Sequence, residues 1–591
     1  MCMPLQVAPL PLTFWPGIND PEESSHQDQR KFEIRFVFIG CLSDDYAEVD
    51  TPLGRVQGFW NTSFEGRKYA TFEGIPYATP PIGELRFEAP QPFGSWFGTW
   101  KATRTYKCVQ DMLGESGGDE DCLYLNIYVP AEAINKKRKF EVIVSIHGGG
   151  FMMGKGHWLE APTTIMDRDL IYVTLNYRLG IFGFISTEDD AIPGNMGLKD
   201  QSLALKWVKE NIASFGGNPD GVTIIGVSAG SASVHFHYFS PLSKGLFARG
   251  ISHSGTVLDP WAIRTNPLER AKKLAVLVGC KDESTEELKR CLQQRPAALL
   301  LEQQQGHFFG YRILPFSPFA PVIEKPSKNA FLTEDPYLML KQKRVLDVPW
   351  IVSICADEGL LPTAWFYSNP QEIDKIWAET AHYTLDYNDT VLVSSPGDVA
   401  QEIRDFYLGV GEPITRENFD KLTQMFTDRL FGIGAEISAK LQSQANKSPV
   451  YFYKFSYLEG EQSIMSTFYT TEDLKGVPHG DDAFLFYRAH QTPDPTESDR
   501  KLKNAGLDML FSFATTGLLE RYIKILNGFR TPSFDGTDKW RPTEGLQLSY
   551  LDITNADDMK LYTVDSIAPT DFWRGLGLLK FEKYGTLKDE L

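Results

Sequence analysis

No stretch of this 591-residue chain comes near the ~20 consecutive apolar residues that a membrane-spanning helix needs. Internal repeats and low-complexity tracts are missing too, which excludes solenoids and argues against a largely disordered chain. Positive charge is in deficit. The formal net charge of −18 argues against nucleic acid or an anionic membrane surface as partner, because both call for a basic face. Cysteine is scarce, 7 in all, and neither Cys108/Cys122 nor Cys280/Cys291 stands at metal-ligand spacing with a histidine.

What is present is an ordinary core-forming composition, 42% hydrophobic and 23% charged. Strand-like runs alternate with helical patterns from residue 50 onward, which predicts α/β layering over a mainly parallel sheet. Val142–Ile146, Ile171–Leu175 and Val222–Ile225 are short, apolar and β-branched, and read as central strands. Ala204–Ile212 reads as an amphipathic helix, and 505–526 as a late one. Residues 260–450 read as a helical cap on the same domain, since no Pro/Ser-rich linker sets them apart. The expected organisation is a leader or signal-containing segment over 1–48, one domain over 49–587, and a terminal signal at 588–591.

Gly226-Val-Ser228-Ala-Gly230 carries the most information. A buried strand precedes it and a helix start follows. A serine on such a tight turn has its hydroxyl pushed out of the sheet, while the flanking glycines let strand and helix approach. The pattern is weak alone, and its context makes Ser228 a candidate nucleophile. In acyl transfer a serine needs a base, an acid that orients the base, and donors for the oxyanion. An acid followed by a histidine is the order expected behind such an elbow. Glu358 closes the apolar run Val348–Ile354 in the position of a strand end, and His479 lies in the loop Gly476-Val-Pro-His479-Gly-Asp-Asp482. His147-Gly148-Gly149-Gly150 follows a predicted strand, and its consecutive glycines let backbone N–H groups converge on one point. His147 precedes the serine and is read as bracing the loop.

Cys108/Cys122 and Cys280/Cys291 each enclose a short polar loop and read as disulfides if the chain is oxidised. Cys2, Cys41 and Cys355 are left over, with Cys355 read as a small core residue. The last four residues, Lys588-Asp589-Glu590-Leu591, match the luminal retrieval signal, so a retrieval receptor is an expected partner. Sequons at Asn61, Asn388 and Asn446 agree with the secretory pathway, although Pro449 stands close behind the last. The expected location is the endoplasmic reticulum lumen, with secretion as the alternative.

These residues, together with Glu120–Ile127, Asn176-Tyr-Arg178, Pro193–Gln201, Phe215–Pro219, Pro349-Trp350 and His479–Asp482, resemble the type-B carboxylesterases of the cholinesterase-like α/β-hydrolase family, insect members most. The resemblance covers about residues 50–580. It implies an α/β-hydrolase fold with a large, mostly parallel sheet and helical cap insertions. It implies Ser228, Glu358 and His479 as triad, an oxyanion hole from the N–H groups of Gly149, Gly150 and Ala229, and the bridges Cys108–Cys122 and Cys280–Cys291.

Departures from the family pattern narrow the substrate. Many members carry Glu before the nucleophile and juvenile hormone esterases carry Gln, where this chain has Val227. The Cys108–Cys122 loop has no Trp to receive a quaternary ammonium. Leu360, Leu361 and Pro362 follow the acid where cholinesterases place Phe, and Pro315 and Ser317 align with two acyl-pocket positions. The expected activity is hydrolysis of neutral, fairly apolar carboxylic esters through an acyl-enzyme, with no metal and no cofactor. The alternatives are a lipase or juvenile-hormone-type esterase, and a catalytically silent adhesion protein on the same fold.

Overall fold

The computed structural model describes residues 46–579 apart from 113–114, 135–137, 157–161, 282–283, 310–313, 389–395, 459–472, 488–495, 520–539 and 556–558. The expected leader up to residue 45, Cys2, Cys41 and the terminal Lys588–Leu591 lie outside the described residues. Among those described, a thirteen-stranded sheet runs through the molecule.

The strands that matter are β1 (Tyr46–Thr51), β2 (Gly54–Thr62), β3 (Lys68–Pro76), β4 (Tyr124–Pro130), β5 (Phe140–Ile146), β6 (Leu170–Leu175), β7 (Gly217–Val227), β8 (Arg249–His253), β9 (Trp350–Cys355), β10 (Val450–Phe455), β11 (Leu548–Ile553) and β12 (Met559–Val564). Their spatial order is β1-β2-β3-β4-β6-β5-β7-β8-β9-β10-β11-β12. From β6 to β11 every neighbouring pair is parallel. Antiparallel strands flank this block at both ends. Strands β6 and β9 of the parallel block are buried at every position, as helices on both faces of such a block require, and so is the adjoining antiparallel β4. The three predicted central strands are β5, β6 and β7, one to seven residues longer than the apolar runs suggested.

The helices begin earlier than their apolar periods indicate. Helix α1 spans Met196–Asn211, starting well before residue 204. Its first turns hold the polar Lys199, Asp200 and Gln201, which are buried because each is paired: Lys199 with Glu324 at 2.6 Å, Asp200 with Arg178 at 2.7 Å, and Gln201 with His237 at 3.0 Å. Helix α2 is Ala229–His237, and α3 is Ile433–Ala445. After α4 (Asp481–Tyr487), helix α5 runs Glu497–Thr516 rather than 505–526. Thr496 and Asp499 form a capping box at its start, and Gly517, in the left-handed region at φ 70°, ends it. The region predicted as a cap supplies a series of short helices between β8 and β10. Both disulfides form, with Cα separations of 4.9 Å for Cys108–Cys122 and 5.9 Å for Cys280–Cys291. Cys355 is free and buried. No helix among the described residues is long and apolar enough to cross a membrane.

Candidate active site

Ser228 stands at the carboxyl end of β7, where the strand turns into α2. Its backbone sits at φ 60°, ψ −124°, a conformation that costs a non-glycine residue on the order of 1–3 kcal/mol and needs the surroundings to enforce it. Two things enforce it here. The Ser228 N–H donates to the His253 carbonyl at 2.8 Å, and Ala232 N–H donates to the Ser228 carbonyl at 2.9 Å. The turn also requires glycine on both sides. A Cβ on Gly226 would lie 2.3 Å from the Gly230 backbone, and one on Gly230 would lie 2.0 Å from the Ile146 carbonyl. Any side chain at either position would push α2 off the sheet.

The glycine loop after β5 lies directly against this elbow. A Cβ on Gly148 would fall 2.5 Å from the Val227 carbonyl and 3.1 Å from Ser228 Cβ. Gly149 and Gly150 take φ values of 104° and 60°. His147 braces the loop as its position suggested: its Nδ1 donates to the Gly148 carbonyl at 2.9 Å, and its ring stacks on Tyr177 with centroids 4.4 Å apart. Burial pushes the His147 imidazole down to about 4, so it is neutral at ordinary pH. From the disulfide loop, Gln110 clamps the far side through two 2.7 Å bonds to the Gly154 backbone.

Glu358 and His479 meet. Glu358, fully buried just beyond β9, accepts from the Cys355 N–H at 2.7 Å with Oε1 and lies 2.5 Å from His479 Nδ1 with Oε2. Their two loops are zipped together by the neighbouring residues. Asp357 N–H donates to the Val477 carbonyl at 2.9 Å, and Val477 N–H donates to Asp357 Oδ2 at 2.8 Å. The other ring nitrogen, His479 Nε2, is buried and has no hydrogen-bond partner among the described residues. Aromatic rings wall the site in: Phe431 lies 4.6 Å from the His479 ring, Trp261 lies 5.8 Å from Phe431, and Phe151 lies 6.3 Å from Trp261.

A second buried cluster went unread in the sequence. Asp482, three residues after His479, is surrounded by His253 Nδ1 at 2.9 Å, the Tyr453 hydroxyl at 2.7 Å and the Ser353 hydroxyl at 2.8 Å. Burial alone would raise its carboxyl, but His253 and these hydrogen bonds hold it well below the usual carboxylate range. The motif His479–Asp482 and the run Ser252-His253-Ser254 were the available signals. Nothing in them says that they meet, since 229 positions separate His253 from Asp482.

Of the sequons, Asn61 and Asn388 are exposed, while Asn446 is half-buried with its amide nitrogen donating to the Leu346 carbonyl at 3.1 Å. Among the described residues no group of three or more His, Cys, Asp or Glu is placed to hold a metal ion.

The carboxylesterase family model matches residues 45–568. Venom carboxylesterase-6 of Apis mellifera is 40% identical over 555 residues, 92% of this chain and 96% of that protein. Juvenile hormone esterase of Tribolium castaneum is 37% identical over 481 residues, 77% of this chain and 80% of its own. The crystal structure of juvenile hormone esterase from Manduca sexta, with OTFP covalently attached, superposes with a TM-score of 0.75 at 27% identity, covering 90% of this chain and 99% of that one. The sheet and helices described above are the α/β-hydrolase fold.

Proposed function

The chain belongs to the carboxylesterase family and is a serine carboxylic ester hydrolase, and on that premise we propose that Ser228, Glu358 and His479 are its catalytic triad. One observation supports this reading above the others: His479 is held by Glu358 through Nδ1, while its Nε2 is buried with no partner among the described residues. Buried polar atoms are nearly always paired, so an imidazole left this way is placed to take a proton from a reacting group.

Neutral His479 takes the Ser228 Oγ proton through Nε2 as the oxygen attacks the ester carbonyl. The oxyanion of the tetrahedral intermediate is held by the N–H groups of Gly149, Gly150 and Ala229, each of which is worth about 3–4 kcal/mol in such a role. The imidazolium then gives its proton to the leaving alcohol, and an acyl-enzyme remains. Water enters, loses a proton to His479 and attacks the acyl carbonyl; the second tetrahedral intermediate then collapses as the imidazolium returns that proton to Ser228 Oγ, and the free acid leaves. Glu358 fixes the tautomer with Nδ1 protonated and favours the imidazolium.

Neutral, fairly apolar esters suit the site. Val227 brings no charge beside the nucleophile, and the surrounding walls are Phe151, Trp261 and Phe431. Exposed Asn61 and Asn388 suit glycosylation better than Asn446, whose amide nitrogen already donates. The two disulfides agree with folding in the secretory pathway, where Lys588–Leu591 would return the protein to the lumen through a retrieval receptor. The test of the reaction is covalent labelling with a fluorophosphonate alongside hydrolysis of short-chain p-nitrophenyl esters. Labelling of Ser228 with turnover is expected; absence of both overturns the reading.

A further inference from the structure

We propose that the hydroxyl of Ser317 selects acyl groups bearing an oxygen two bonds beyond the scissile carbonyl carbon, so that alkoxy- or hydroxy-substituted acyl esters are preferred over plain alkanoates of the same shape. The inference rests on the proposed oxyanion role of the glycine loop and names a substrate class for that site.

Ser317 is fully buried, and its Oγ has no hydrogen-bond partner among the described residues. Looseness does not explain this, because the residue is pinned. Its carbonyl accepts from Arg264 Nε, and the same guanidinium forks onto Asp386 at 2.6 and 2.7 Å in a buried ion pair. The backbone is therefore held by strong, directional contacts while the hydroxyl is left unpaired.

The position of that hydroxyl gives it a use. A Cβ on Gly150 would lie 2.9 Å from the Phe316 carbonyl and 3.6 Å from Ser317 Oγ. Ser317 thus borders the backbone whose N–H groups are proposed to hold the acyl oxygen. Two buried polar atoms of this site, His479 Nε2 and Ser317 Oγ, lack partners among the described residues. The first is completed by the proton in transit; the second is completed by an acceptor that the acyl group brings. A hydroxyl donates equally to an ether or a hydroxyl oxygen, whereas an alkanoate buries it unpaired. Sites built around an unpaired polar group discriminate against ligands that cannot complete it.

The experiment uses an isosteric pair, p-nitrophenyl methoxyacetate and p-nitrophenyl butanoate, in which an ether oxygen replaces one methylene. Their different intrinsic reactivity cancels when the ratio of the two kcat/KM values is compared between wild type and Ser317→Ala. That ratio is expected to fall about tenfold in Ser317→Ala, the loss corresponding to one ordinary hydrogen bond. Ser317→Cys, close in size but a weak donor, is expected to give an intermediate ratio. Removing a buried oxygen that bonds to nothing leaves the fold intact, so Ser317→Ala retains its Tm. A ratio unchanged within twofold in both variants, with both still hydrolysing butanoate, overturns the Ser317 assignment and leaves the triad reading standing. A wild-type protein that hydrolyses neither ester and takes up no fluorophosphonate overturns the triad reading, and the selectivity with it.

Discussion

His253 Nδ1 lies 2.9 Å from Asp482 Oδ2, and this contact joins the two loops on which the chemistry depends. The carbonyl of His253 takes the N–H of Ser228, and Asp482 sits three residues beyond His479. Any shift in the pair moves nucleophile and base together.

Asp482→Asn removes a buried charge from a set of donors arranged around it. Breaking a buried pair from one side costs about 3–5 kcal/mol, so a clear drop in melting temperature is expected. A fall in kcat at temperatures where the variant is still folded is expected too, because both loops lose a common anchor. A variant that melts lower yet keeps wild-type kcat would limit the pair to stability.

Ser228→Ala is expected to lose fluorophosphonate labelling and to cut kcat by roughly 10⁴-fold or more, its hydroxyl being the proposed site of acyl attachment. Glu358→Gln is expected to keep the fold and lower kcat by roughly 10⁴-fold, since a neutral amide no longer fixes the proton on Nδ1. Labelling that persists in Ser228→Ala would remove the nucleophile assignment.

Acid is expected to destabilise the protein before it protonates most carboxylates. Burial lowers His147 to about 4, and His235 and His237 to about 3. Below pH 6.5 the unfolded chain takes up protons on these rings and the folded protein does not, so the stability they supply at neutral pH is lost as pH falls toward 4. Asp428, raised by burial to about 6, works the other way and favours the fold as pH drops. Three imidazoles outweigh it, and stability should fall by roughly 1–3 kcal/mol per pH unit below pH 6.5. Melting temperatures measured from pH 7.5 to 4.5 check this; a flat curve would mean that these rings titrate freely.

The two disulfides are expected to differ in their effect on catalysis. Each closes a short loop and contributes on the order of 3 kcal/mol by restricting the unfolded chain. Among the described residues, it is the Cys108–Cys122 loop that reaches the glycine loop, through Gln110 on Gly154. Cys108→Ser/Cys122→Ser should therefore lower kcat as well as melting temperature, and Cys280→Ser/Cys291→Ser only the latter. Equal effects on kcat would show that Gln110 needs no bridge to hold the glycine loop.

The elbow and the glycine loop were legible because each is a local device. Gly226 is demanded by the Gly230 backbone four residues on, Gly230 by the Ile146 carbonyl of the neighbouring strand, and β5 and β7 announce themselves by composition. The acid and the histidine were legible only by their order behind the elbow. Helix α1 was read short because its first turn looks like a loop. Lys199, Asp200 and Gln201 have no apolar period, and their burial is offset by partners as distant as Glu324.

What the amino-acid order determined by itself, then, is the three central strands β5, β6 and β7, the turn that strains Ser228, and the residue types able to transfer an acyl group. The tertiary structure alone decided which buried polar atoms found partners. It closed His253 on Asp482, pinned Ser317 through Arg264 and Asp386, and left His479 Nε2 and Ser317 Oγ unbonded. Hydrogen bonding reaches only about 3 Å and ignores separation along the chain. Satisfaction of a buried group therefore depends on neighbours that no local pattern names.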